Sequence, residues 1–115
     1  MNISVIRGDT KSFKFQRKTT NNEVITEKPN KMFFTVKKYY YSKSFLIQKI
    51  LDKDIIYNEE DNYYYFTIDP YDTNELNYSD DYVFDIEIIT DNKVKTIAKG
   101  NFIIEKEVTF AENEV

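Results

Sequence analysis

The stretch DYVFDIEIIT (81–90), DNK (91–93), VKTIAKGNFIIEKEVT (94–109) decides the fold of this chain. In the first run every second residue is apolar: Tyr82, Phe84, Ile86 and Ile88. In the last run one face carries Val94, Thr96, Ala98, Gly100, Phe102 and Ile104. Alternation with a period of two is typical of a half-buried strand, and two such runs around a polar turn predict a β-hairpin. None of these residues suggests chemistry.

The length of the turn determines which side chains of this hairpin share a face. A two-residue loop at Asp91 and Asn92 would place Lys95 and Lys99 on the core face. A slip of one residue inverts every side chain, and burying two lysines costs several kcal/mol. We therefore predict a three-residue loop, Asp91 to Lys93, with Asn92 or Lys93 at positive φ. In that register the facing pairs are Ile88 with Thr96, Ile86 with Ala98, Phe84 with Gly100, and Tyr82 with Phe102.

The composition limits the classes of function that we consider. With 115 residues the chain fits one domain, which we expect to span residues 1–115 with an ordered core over about residues 2–109. Ten Tyr and nine Phe supply a core without Trp. The absence of Cys and His excludes disulfides, thiolate metal sites and a histidine base. We expect no enzyme activity.

Charge and hydropathy also exclude several partners. The net charge of −4 disfavours non-specific binding to nucleic acid and to anionic lipid. No apolar segment follows the start, and no run approaches membrane-spanning length, so we expect neither a signal peptide nor a membrane span. We therefore expect a soluble protein that is made in the cytoplasm and contacts neither nucleic acid nor membrane.

Turn signals divide the rest of the chain into short strands. We predict strands over residues 2–7, 11–18, 24–25, 31–41, 44–51, 55–57 and 63–68. Residues 44–51 fit either a strand or a short helix, and we favour a strand because Phe45 and Ile47 separate from Ser44 and Gln48. Asp69 and Pro70 are good helix-start residues, so residues 69–76 are predicted to form one helical turn that carries the chain between two sheets.

The number and spacing of these strands predict the fold class. About eight short strands with turn signals between them indicate an all-β, immunoglobulin-like, two-sheet antiparallel β-sandwich. Tyr82 stands near the start of the penultimate strand, where this fold keeps a tyrosine whose hydroxyl bonds back to the backbone. The last residues, 111–115, are polar, and we expect them to fray.

Residues 37–43, KKYYYSK, mix cations with aromatic side chains. Alternation along the predicted strand 31–41 places Tyr39 and Tyr41 on the outer face and Tyr40 inside. Three interpretations of the outward pair stay open: a solvated strand end, a contact surface for another protein or subunit, and a platform that stacks on sugars or bases. Tyr39 and Tyr41 are our candidate interaction surface.

Other short patterns have plainer explanations. The tripeptide Arg7-Gly8-Asp9 matches an integrin-binding motif, but a strand that ends in a Gly-Asp turn accounts for it. Outward Asp85 and Glu87 lack the concave, partly dry site that general acid–base chemistry needs. We predict no catalytic, cofactor or metal site. Solvated turns account for the acidic groups Asp52/Asp54, Glu59/Glu60/Asp61, Asp69/Asp72 and Asp80/Asp81, which lack a calcium-loop pattern.

The order of several short motifs along the chain points to a family. They are Ile6 to Thr10, the Phe13/Phe15 strand, Ile68 to Thr73 with Leu76, Tyr82 to Ile86, Ala98 to Ile104, and Val108-Thr109. This order resembles the immunoglobulin-like β-sandwich at the N-terminus of phage baseplate upper proteins, and related small sandwich domains in siphophage tail and head-fibre proteins. The resemblance spans about residues 3–109.

The resemblance implies a phage or prophage virion structural protein of the tail, baseplate or head-fibre type, made in the host bacterial cytoplasm. It implies protein–protein contacts with other virion proteins, a homo-oligomer, and no catalytic residues. The alternative from another class is a carbohydrate-binding β-sandwich module that uses exposed tyrosines. That alternative predicts a row of exposed, coplanar rings on one face.

Overall fold

The computed structural model describes residues 1–78 and 80–107 of the chain. In chain order their elements are β1 (Asn2–Ile6), β2 (Lys11–Phe15), β3 (Lys31–Lys37), β4 (Ile47–Ile50), β5 (Ile56–Asn58), β6 (Tyr63–Ile68), α1 (Pro70–Thr73), β7 (Asp81–Thr90) and β8 (Lys93–Glu105). The predicted all-β class is confirmed. The Val108-Thr109 motif and the tail 111–115 that we expected to fray lie outside the described residues.

The strands form two sheets that face each other across the core. The larger sheet has the order β1-β8-β7-β3-β4, and the smaller has the order β2-β6-β5. β1 and β8 run parallel, whereas the other ladders between these strands are antiparallel. α1 leads from β6 in the smaller sheet to β7 in the larger one, as predicted, although it is shorter than residues 69–76. The fold is an immunoglobulin-like β-sandwich.

The core lies between the sheets and follows the predicted alternation. The inward sets of β3, β6 and β7 are all buried, as expected from their period of two. The buried apolar residues are Val5, Met32, Phe34, Val36, Ile47, Leu51, Ile55, Tyr64, Phe66, Ile68, Leu76, Tyr82, Phe84, Ile86, Ile88, Phe102 and Ile104. Ile6 is exposed because it lies next to buried Val5 and so points to the opposite face.

Tyr82 forms the predicted corner at the start of β7. Its hydroxyl accepts the backbone N–H of Asn77 at 2.8 Å, five residues upstream. The ring itself is buried in the core. This contact ties the end of the helical crossover to the strand that follows it, which is the role of the tyrosine in immunoglobulin-like sandwiches.

The turn of the β7–β8 hairpin differs from our prediction. Thr90 pairs with Lys93, so the loop has two residues, Asp91 and Asn92, both at positive φ (51° and 65°). The predicted pairs Tyr82–Phe102, Phe84–Gly100 and Ile86–Ala98 are nevertheless present. A β-bulge reconciles the two registers, because Ile86 pairs with Ala98 whereas Glu87 pairs with Thr96, which leaves Ile97 unpaired.

The three-residue loop and the pair Ile88–Thr96 were therefore wrong. Lys95 pairs with Ile88 instead, yet the lysine remains exposed while Ile88 is buried. The smaller sheet does not cover the whole length of β8, and Val94, Lys95 and Thr96 are exposed at an open margin of the sandwich. A lysine at that margin does not lose its hydration, so the expected penalty does not arise.

The segment after β3 also departs from the predicted strand. β3 ends at Lys37, and β4 begins at Ile47, so residues 38–46 form a loop between them. β4 confirms that residues 44–51 contain a strand, although Phe45 precedes it and is exposed. The loop removes the alternation on which the inward placement of Tyr40 depended, and Tyr40 is exposed.

Candidate interaction surfaces

The loop 38–46, here called the aromatic loop, carries the predicted candidates Tyr39 and Tyr41. A turn from Tyr39 to Ser42 shapes it: the Ser42 N–H donates to the Tyr39 carbonyl at 3.0 Å, and the Ser42 hydroxyl accepts the Tyr39 N–H at 3.2 Å. Lys37, the last residue of β3, donates its ammonium to the Ser42 carbonyl at 2.9 Å. These bonds hold the loop against the end of the strand.

Tyr39 and Tyr41 stack on each other at the tip of the aromatic loop. Their ring centroids lie 5.1 Å apart and their planes differ by 4°. Tyr39 is 46% exposed and Tyr41 is 81% exposed. Both are therefore outward, as predicted, although a loop turn and not strand alternation places them there. Because each ring covers one face of the other, the pair presents a single aromatic block.

Tyr40 connects the aromatic loop to the larger sheet. Its hydroxyl donates to the Gly100 carbonyl on β8 at 3.2 Å, and the Lys99 ammonium lies 5.9 Å from its ring centroid. Phe45 and Leu46, at the other end of the loop, are also exposed. Tyr40, Phe45 and Leu46 were not predicted as surface residues, because the predicted strands 31–41 and 44–51 included them.

Next to the aromatic loop lies the outer face of the larger sheet. It is formed by half-buried side chains that alternate with the core: Phe33, Thr35 and Lys37 of β3, and Val83, Asp85 and Glu87 of β7. Burial raises the pKa of Asp85, and the Lys37 ammonium opposes that rise. Asp85 and Glu87 point outward as predicted, and the depression that they line with Phe33 and Phe45 is an open hollow of about 350 Å³.

A second surface, here called the inter-sheet groove, opens between β2 and β8. It has a volume of about 540 Å³. Its apolar lining comes from Met1, Ile3, Phe13, Phe15, Ile25, Phe66, Phe84, Ile86, Ile97 and Ala98. Lys14, Arg17, Lys18 and Lys95 also line it. No single stretch of sequence contains this groove, because β1, β2, β6, β7 and β8 all contribute to it.

The tripeptide Arg7-Gly8-Asp9 forms a structural turn, as expected. The Arg7 guanidinium lies 2.7 Å from a Glu107 carboxylate oxygen, and this contact lowers the pKa of Glu107. Gly8 has φ of 84° and donates its N–H to the Thr73 hydroxyl at 2.8 Å. The Asp9 N–H closes the turn on the Ile6 carbonyl at 3.0 Å.

Several acidic side chains that we assigned to solvated turns have structural roles, and Asp72 differs from that assignment because it is half-buried on α1. Asp52 pairs with Lys28 at 2.6 Å, and Asp72 pairs with Lys49 at 2.8 Å. Asp61 accepts the Tyr65 hydroxyl, which lowers the pKa of Asp61. Among residues 1–78 and 80–107, no group of three or more acidic side chains is arranged to hold a metal ion.

Comparisons with known proteins add little to this description. The sequence matches no family model, and no curated protein is similar to it in sequence. Among solved structures, the chain is similar to the NK cell receptor Nkp44, described as a triggering partner in natural cytotoxicity, with a TM-score of 0.47 and 12% identity. The likeness covers 90% of this chain and 96% of that chain. No helix in the described residues has the length and hydropathy needed to cross a bilayer.

Proposed function

We propose that this chain is a phage or prophage virion structural protein that acts through protein–protein contacts. The order of motifs described above supports the virion assignment. The observation that carries the contact role is the aromatic loop, where Tyr39 and Tyr41 are stacked and exposed and where Phe45 and Leu46 are also exposed. Aromatic side chains are enriched where protein partners meet, because their large, rigid surface is desolvated at low entropic cost.

The proposed contact surface is the aromatic loop together with the outer face of the larger sheet. Tyr40 makes the two continuous through its bond to Gly100. The sheet face offers both signs of charge, with Lys37 beside Asp85. A face of mixed charge with an aromatic rim suits association with other copies of the chain and with neighbouring virion proteins.

The test compares the wild-type chain with a double variant, Tyr39→Ser and Tyr41→Ser. The matched control is Tyr71→Ser, because Tyr71 lies on α1 and is 88% exposed. We expect light scattering to detect an oligomer for the wild type and for the control, and a monomer for the double variant. In purified particles, we expect cross-linking mass spectrometry to join the aromatic loop to a virion protein.

Three results would overturn the proposal. The first is a wild-type chain that stays monomeric at high concentration and is absent from purified particles. The second is an oligomer that the double variant leaves unchanged, as the control Tyr71→Ser does. The third is a glycan array with hits that disappear in the double variant and persist with Tyr71→Ser, since that result would establish the carbohydrate-binding module instead.

A further inference from the structure

We propose that the inter-sheet groove binds an extended segment of a partner virion protein, with apolar side chains at alternate positions and acidic residues at both ends. The segment adds to the free edge of β8 as an extra strand, which is a recurring mode of peptide recognition. This inference rests on the proposed function, and it specifies the chemistry of the partner. It concerns a surface separate from the aromatic loop.

Free strand edges border the groove on both sides. β1 pairs with β8 only from Asn101 to Glu105, so in the described residues the stretch Lys93–Gly100 is paired with β7 on one side alone. On the opposite wall, β2 is the outermost strand of the smaller sheet. Unpaired backbone N–H and C=O groups on such edges accept an incoming strand.

The lining of the groove suits alternate apolar side chains. Its floor includes Phe66 of the smaller sheet and Phe84 and Ile86 of the larger one. The volume of about 540 Å³ lies within the range typical of ligand pockets. In a strand added to β8, every second side chain points into the groove, at intervals of about 7 Å. The side chains between them point to solvent, so the partner needs apolar residues only at alternate positions.

The backbone of Met1 bounds one end of this docking edge. The Asn101 N–H donates to the Met1 carbonyl at 3.2 Å. A Cβ on Gly100 would lie 1.7 Å from the same carbonyl oxygen, so the backbone of Met1 occupies the space over Gly100. The open edge therefore runs from Lys93 to Lys99, a length of roughly 23 Å at the rise of a strand.

Charge identifies the ends of the partner segment as acidic. Three cations, Arg17, Lys18 and Lys95, line the groove, and no described carboxylate does. Lys14 also borders the groove, but its ammonium lies 4.8 Å from the Tyr63 ring centroid on the outer face of the smaller sheet. The local excess of positive charge stands in a chain of net charge −4. In the described residues, none of the three lies within 4.0 Å of a carboxylate oxygen, whereas Arg7, Lys28, Lys38 and Lys49 do. Complementary charge steers and orients a partner at such a rim.

The test measures binding of the fluorescein-labelled peptide EEVTVTVTEE by fluorescence anisotropy. Any purification tag is placed after residue 115, because Met1 lines the groove. Two control peptides separate the parts of the argument: KKVTVTVTKK reverses the charge, and EEVTVPVTEE removes a backbone donor. We expect both to bind at least tenfold more weakly than EEVTVTVTEE.

Matched protein variants locate the site. Lys18→Glu with Lys95→Glu reverses two exposed rim charges, and Lys31→Glu with Lys53→Glu makes the same change in net charge at exposed positions away from the groove. We expect the first pair to weaken peptide binding at least tenfold and the second to change it less than twofold. Hydrogen exchange should slow at the backbone amides of Lys93 to Lys99 in the complex.

Three outcomes would overturn the inference. One is no anisotropy change up to millimolar protein, and another is binding that the charge-reversed variants or the proline peptide leave unchanged. The third is protection of Lys93 to Lys99 that grows with protein concentration without peptide, since a second copy would then occupy the groove. The variant Tyr39→Ser/Tyr41→Ser should bind the peptide normally, so this test and the test of the proposed function fail independently.

Discussion

The Lys49 ammonium on β4 lies 2.8 Å from the Asp72 carboxylate on α1, and the two side chains are only 10% and 16% exposed. Asp72 also accepts the backbone N–H of Asp69 at the start of the helix. The ion pair therefore fastens the edge of the larger sheet to the crossover that comes from the smaller one. The net contribution of such a buried ion pair to stability is smaller than the stability lost when one partner is removed. The remaining charge is then desolvated and has no counter-charge.

Asp72→Asn should reduce the free energy of unfolding by about 3 kcal/mol, because Lys49 then stays buried without a counter-charge. Lys49→Met in the same chain should recover a large part of that loss. Urea unfolding of the wild type, both single variants and the double variant measures the coupling. Additive losses in the double variant would show that the two groups do not depend on each other.

Tyr64→Phe and Tyr82→Phe should change stability in opposite directions. Within residues 1–78 and 80–107 the buried Tyr64 hydroxyl has no hydrogen-bond partner, and burial raises the pKa of Tyr64 while the nearby Arg17 guanidinium opposes that rise. Removing it should increase the free energy of unfolding by about 1 kcal/mol, because an unsatisfied hydroxyl carries a desolvation cost. Tyr82→Phe removes the bond to Asn77 and should cost about 1 kcal/mol. Equal changes in the two thermal midpoints would contradict this assignment.

Asn92→Gly should stabilise the β7–β8 hairpin, and Asn92→Ala should destabilise it. Asp91 and Asn92 both have positive φ, as a type I′ hairpin turn requires. Glycine adopts this conformation without a steric penalty, whereas for alanine it costs about 1 kcal/mol. Thermal unfolding of the two variants checks the order. A more stable alanine variant would argue for a longer loop.

Asp85→Asn should stabilise the chain at neutral pH and lose that advantage in acid. Burial raises the pKa of Asp85 in the folded state. The folded state therefore binds this proton more tightly than the unfolded state, and the resulting stability is lost as pH rises from the unfolded pKa to the folded one. Asparagine carries no such penalty at neutral pH. Urea unfolding at pH 7 and at a pH below 3.8 tests this, and a difference that grows in acid would refute it.

The inward faces of the longer strands were predictable from sequence because alternation is a local property. Phe34, Phe66 and Phe84 all lie in the core where their period of two places them. The Tyr82 corner was predictable for a similar reason, since the helix-start signal at Asp69 and Pro70 marks the crossover before β7. These features depend on neighbouring residues alone.

Features that depend on residues far apart in the chain were not predictable. The bulge at Ile97 lets a two-residue turn coexist with the predicted pairing of Phe84 and Gly100. A pattern with a period of two does not show where one strand has an extra residue. The inter-sheet groove exists because β1 covers one edge of β8 only at residues 101–105. The contact between Lys49 and Asp72 is tertiary. A lysine at an inward strand position does not indicate which carboxylate will pair with it.

The candidate surface was partly predictable. Tyr39 and Tyr41 are exposed as predicted, although the prediction relied on strand alternation and a loop turn places them there. Tyr40, Phe45 and Leu46 belong to that surface because β3 ends at Lys37 and β4 begins only at Ile47. Where a strand stops depends on whether its partners continue beside it, and β4 pairs with β3 only from Phe33 to Val36.

The parallel pairing of β1 with β8 has a consequence for synthesis on the ribosome. Residues 2–6 pair with residues 101–105, so β1 cannot form this ladder until that part of β8 has been synthesised. Until then its backbone stays open to solvent and to other nascent chains, and closing so long a loop slows folding. Chaperone dependence should therefore be greatest just before translation passes Glu105.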